Sequence, residues 1–145
     1  MALHEVSPGQ ASGSELAYAE ITADVTVSAT TEASPTTIVT CPAFRLDAAA
    51  RIYAEFYTAC VDYTGTGGGS DTILDLWEAA QVFRLAQLSV GTSNATFRVP
   101  VLARYFATLA AGTYTYSVRG YRTTNNALVR CSTDHAPTYL RIAKA

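Results

Sequence analysis

Charge is scarce in this chain of 145 residues: Asp, Glu, Lys and Arg make up 15% of it, where a soluble domain usually has roughly 25%. Ten Lys+Arg against twelve Asp+Glu leave a formal net charge of −2, so no basic field exists to hold nucleic acid. Long apolar runs are absent. None approaches the roughly 18 residues of a spanning helix, and residues 1–10 lack the basic start and apolar stretch of a secretory signal. A soluble chain made in a cytoplasm, without membrane insertion, is the expectation. Cysteine is limited to Cys41, Cys60 and Cys131. Their odd number and wide spacing fit neither a disulfide framework nor a paired zinc motif, which leaves reduced structural thiols. Lysine is nearly missing: Lys144 is the only one and the other cations are Arg, the side chain suited to stacking on aromatics and forking onto carboxylates.

Catalytic signatures are missing as well. There is no G-x-S-x-G elbow, H-E-x-x-H, P-loop, or G-x-G-x-x-G before a helix, and no cofactor or metal is expected. The stretch Gly65-Thr66-Gly67-Gly68-Gly69-Ser70 has no following Lys and reads as a flexible tip between strands. Cys131-Ser132-Thr133-Asp134-His135 offers a thiol, a hydroxyl, a carboxylate and an imidazole, but a turn Asp beside a solvated His accounts for it. The second histidine, His4, lies far away in the N-terminal segment. Asp71, Asp75 and Glu78 near Trp77 suggest paired carboxylates beside an aromatic platform, as used on sugars. Strand alternation with solvent-facing acids explains the same order without chemistry. Asn94-Ala95-Thr96 matches a glycosylation acceptor, but without secretion it is a turn.

What is present is a hydrophobic fraction of 49% with nine Tyr, enough for one domain that buries about 68–70% of its unfolded surface. Residues 1–15 are polar and broken by Pro8, Gly9 and Gly13, and read as an extended arm that needs a neighbouring chain or the domain itself to hold it. From residue 16 onward, turn signals recur between short segments rich in Val, Thr, Tyr, Phe and Ile, the pattern of an all-β sandwich or barrel. In 114–119, Tyr114, Tyr116 and Val118 share one face and Thr115, Ser117 and Arg119 the other, as a half-buried strand requires. Residues 82–90, 97–106, 128–132 and 139–143 are further strand candidates. Segments 46–58 and 73–88 also fit helical spacing. The first is taken as a strand over 51–63 from its β-branched and aromatic content, the second as a hairpin turning at 78–81. The 51–63 strand is apolar on both sides, with Ile52, Phe56 and Cys60 on one and Tyr53, Tyr57 and Val61 on the other. Such a strand needs double cover. Together with the Tyr and Arg excess this predicts a subunit interface drawn from Tyr53, Tyr57, Tyr105, Tyr114, Tyr116, Arg119 and Tyr139.

The order of segments resembles small structural proteins of tailed bacteriophages. The likeness is carried by 16–22 (LAYAEIT), 38–44 (IVTCPAF), the 51–58 strand, the 73–88 hairpin, 112–119 (GTYTYSVR) and 136–142 (APTYLRI). It covers residues 16–145, and the shortened 65–70 connection and three cysteines depart from it. It implies an antiparallel two-sheet jelly roll of the complement and tumour-necrosis-factor type, with about ten strands and three subunits around an axis. It brings no catalytic residues. The implied function is a non-enzymatic virion protein at the particle surface, made in the bacterial host. We expect a homotrimeric capsid decoration protein attached to the major capsid protein through its arm, with Leu3, His4 and Val6 as contacts. The alternative is a minor tail protein, associated with other tail proteins, that binds a receptor or carbohydrate through distal loops at Gly67, Gly68 and Trp77. A small hydrolase using Asp71, Asp75 or His135 is the third reading.

Overall fold

The computed structural model describes residues 13–64, 69–90, 96–131 and 135–145, and these hold twelve strands and no helix. In chain order they are β1 (Glu15–Glu20), β2 (Val25–Val27), β3 (Thr36–Thr40), β4 (Phe44–Leu46), β5 (Ala50–Thr64), β6 (Ser70–Glu78), β7 (Gln81–Val90), β8 (Thr96–Leu109), β9 (Gly112–Tyr114), β10 (Tyr116–Arg122), β11 (Ala127–Val129) and β12 (Tyr139–Lys144). In the first sheet, β12 and β11 follow one another along one edge of β5, β1 and β2 pair outside them, and β8 takes the other edge of β5. The second sheet runs β3-β10-β6-β7, and β4 pairs with β9 at one end. With β1/β2, β3/β4, β9/β10 and β11/β12 each counted as one interrupted strand, the orders are 1-8-3-6 and 2-7-4-5, all antiparallel. This is the winding of a jelly roll. The four interruptions raise the strand number above the expected ten or so.

Alternation explains which face each strand buries. On β5 the side chains of Ile52, Ala54, Phe56 and Thr58 are buried to within 1%, and the first three share one core with Leu74, Leu76 and Val118 of the second sheet. A register shift between Thr58 and Val61 puts an extra residue into β5. That extra residue reverses the phase of the strand. Val61 therefore joins the core cluster, while Cys60 is buried outside it. This corrects the expected grouping, which placed Val61 with Tyr53 and Tyr57. Both ambiguous segments are strands, and the second turns at Ala79-Ala80, with Glu78 paired to Gln81. The expected 114–119 strand keeps its alternation but breaks at Thr115, because β9 pairs with β4 whereas β10 pairs with β3 and β6. Gly120 of β10 permits a close approach: a Cβ there would lie 3.1 Å from the Ile73 carbonyl oxygen and 3.3 Å from Val27 Cγ1.

Gly13 and Ser14 already run beside β12, through the Gly13 amide to the Lys144 carbonyl at 2.6 Å and the Lys144 amide to the Ser14 carbonyl at 2.9 Å. Residues 1–12, with Leu3, His4 and Val6, lie outside the described residues, as do Gly67, Gly68 and 132–134. Among the described residues no helix is long and apolar enough to cross a membrane.

Candidate functional site

Four strands of the first sheet present a continuous outer face, and the register fixes its rows. One row holds Glu20, Tyr139, Tyr57 and Leu102, the next Tyr18, Arg141, Glu55 and Arg104, and the third Ala143, Tyr53 and Phe106. Cross-strand neighbours at this spacing touch. Tyr139 stacks on Tyr18 at 5.5 Å and tilts against Tyr57 at 5.6 Å, and Tyr53 tilts against Phe106 at 5.8 Å. Arg104 lies over the Tyr53 ring at 5.4 Å and Arg51 over Phe106 at 5.2 Å, within cation–π range. The exposed large hydrophobics among the described residues are Tyr18 (37%), Leu102 (63%) and Phe106 (48%), and all three stand on this face.

Glu55 sits at its middle, only 4% exposed. Its carboxylate accepts Tyr139 Oη at 2.8 Å and Arg104 Nε at 2.5 Å. Burial alone would raise its pKa, yet these hydrogen bonds and the Arg104 charge hold it below the usual carboxylate range. The Tyr139 hydroxyl is pushed up to about 12 by its burial and by Glu55. Tyr18 is raised to about 12 likewise, by burial and by its bond to Glu20. The face is thus aromatic and apolar around a neutralised acid–base centre, and it also carries Glu20, bonded to the Tyr18 hydroxyl, and Arg51, over the Phe106 ring.

The expected interface residues divide. Tyr53, Tyr57 and Tyr139 come together on this face. Tyr116 is 1% exposed and stacks on Phe44 at 6.1 Å inside the core. Tyr114 lies beside the same Phe44 and donates its hydroxyl to the Ala110 carbonyl. Tyr105 stacks on Phe83 at 4.2 Å between β8 and β7, and Arg119 belongs to the second sheet. The Tyr residues on inward phases are used within the chain. Tyr18, Glu55, Leu102 and Phe106 escaped the sequence reading: the outward phase of 101–109 mixes Leu102 and Phe106 with Arg104 and Thr108, as an ordinary solvent-facing strand does.

Among the described residues, the acids near Trp77 are spread over separate contacts. Asp75 pairs with Arg84 at 2.6 Å, Asp71 accepts Ser89 Oγ at 2.6 Å, and Glu78 closes the hairpin. The Cys131 backbone amide donates to Asp24 at 2.7 Å, and that bond, with Arg130, lowers the Asp24 pKa despite some desolvation. The Cys131 thiol is itself raised by desolvation and by Asp24, unlike an activated nucleophile. No group of three metal-ligating side chains forms among the described residues. An open cleft of about 300 Å³ is lined by residues 20–25 and 38–40.

No family model and no curated protein matches the chain. Among solved structures, it is similar to the Eiger TNF from S. frugiperda at 12% identity and TM-score 0.45, with 93% of this chain and 94% of that one covered. It is also similar to a carbohydrate-binding module from Cellvibrio mixtus lichenase 5A in complex with cellotriose, at 10% identity and TM-score 0.38, with 93% and 99% covered. The fold stands on the strand order given above, and these likenesses add nothing on function.

Proposed function

We propose that this chain is a non-enzymatic structural protein that assembles with copies of itself through the outer face of the first sheet. One observation carries the reading: Tyr18, Leu102 and Phe106 are exposed and share one sheet face. Exposed large apolar side chains gathered on one face, rather than scattered singly over the surface, mark an association surface. A second copy fits it because the face is aromatic and its central acid, Glu55, is already paired with Arg104. The number of copies, three, and the place of the assembly, the surface of a phage particle, follow from the resemblance in segment order. On this reading the arm joins the trimer to the capsid.

The test is mass measurement in solution with Phe106→Glu as the partner variant. The wild type is expected to be trimeric and the variant monomeric with an unchanged far-ultraviolet spectrum. A monomeric wild type, or a Phe106→Glu protein that stays assembled, overturns the assembly. The virion reading has a separate test: imaging of purified particles should show the protein in hundreds of copies as threefold knobs over the capsid. Confinement to the tail moves the function to host recognition.

A further inference from the structure

The second sheet also buries an acid on its outer side. On β6, Leu74 and Leu76 enter the core, so Ile73, Asp75 and Trp77 point the other way. Asp75 is nevertheless only 1% exposed. One of its oxygens accepts Arg84 Nε, while Oδ2 is buried without a partner. Two residues along the same face, the Trp77 indole N–H is likewise buried and unpartnered. Native proteins pair almost all such atoms, and an unpaired acceptor and an unpaired donor two residues apart on one strand face call for a cause.

Long side chains cover the two atoms. Arg84, whose side chain is 45% exposed, reaches Asp75 and the Tyr121 hydroxyl. Arg119, across from Asp75 in the ladder, lies over the Trp77 ring at 4.8 Å and donates to Ser117 Oγ. Ile73, on the same side of β6, is buried to 4% outside the main core cluster.

We infer that Asp75, Trp77, Arg84 and Arg119 form a saccharide-binding site on the outer face of the second sheet, opened when the two guanidinium heads move aside. The ligand class follows from the donors and acceptors. A sugar hydroxyl both donates to a carboxylate and accepts from an indole N–H, and the Trp77 ring takes the C–H face of the ring. Phosphate would meet the unpaired carboxylate oxygen, and a cation would meet two arginines. The site lies on the sheet opposite the self-association face and stays open in an assembly made through that face.

Trp77 is the only tryptophan, so its emission reports on the site alone. The experiment screens the full chain on a printed array of neutral and amino-sugar oligosaccharides, then titrates the bound ones against Trp77 fluorescence. A saturable emission change is expected. By calorimetry, Asp75→Asn and Trp77→Phe, the second removing the N–H while keeping an aromatic ring, should each weaken binding about ten- to a hundredfold. Phe106→Glu should bind as the wild type does, which separates this site from the assembly face. An array without binders overturns the site, and so does affinity unchanged in Trp77→Phe.

Discussion

Each sheet buries one carboxylate on its outer side, and the two are pushed in opposite directions. Glu55 is burdened by burial but held low by Tyr139 and Arg104. Its contribution to stability is in place above the unfolded carboxylate pKa of about 4.3 and is lost as pH falls through the lower folded value. For Asp75, burial raises the pKa more than the bond to Arg84 lowers it. Its ionised form therefore costs stability at neutral pH, and that cost vanishes as pH drops through the raised folded value. Asp75→Asn should consequently fold, at a loss of within about 1 kcal/mol near pH 7, because the half-exposed Arg84 left behind can turn to water. Denaturant melts of both proteins between about pH 7 and pH 4 should show the wild type gaining on the variant as pH falls. A gap that stays constant or moves the other way would contradict the raised pKa. Neither acid was legible as buried in the sequence: Asp71, Asp75 and Glu78 read alike there, and only the cross-strand position of Arg84 singles out Asp75.

At the scale of elements, alternation and turn residues made most strands legible, and they failed where the chain slips phase. The β5 bulge is invisible in the sequence because Cys60 and Val61 are both apolar, so either can occupy the inward position. The β6–β7 turn was located but not its geometry. Its two-residue loop places Ala79 at φ 49°, the positive-φ region that the primed hairpin turns normally give to Gly, Asn or Asp. A left-handed residue with a Cβ costs about 1–2 kcal/mol, while glycine has the looser unfolded chain, worth about 0.5–1 kcal/mol. Ala79→Gly should therefore stabilise the protein by roughly 0.5 kcal/mol. Equilibrium unfolding in urea checks this, and a lower midpoint for the variant would show that the turn is not strained.

For the whole molecule, an all-β sandwich was readable from segment lengths and punctuation, and so were Tyr53, Tyr57 and Tyr139 of the outer face, but the rest of that face was not. Tyr18, Leu102 and Phe106 share one face only because β1, β12, β5 and β8 lie side by side, and no local signal gives that order. The assembled face makes stability depend on concentration, since copies that bind the folded chain and not the unfolded one favour folding by mass action. For three copies dissociating and unfolding together, a hundredfold rise in concentration adds roughly 2 kcal/mol per chain, or about 5 °C in Tm for a domain of this size. Wild-type melting curves collected across that range should move upward by this amount. Phe106→Glu places a charge amid Tyr53 and Arg51 and blocks close packing, so its Tm should stay fixed. A wild-type Tm independent of concentration would mean that the aromatic face is not what joins the copies, and the exposed Leu102 and Phe106 would then have to meet a different partner.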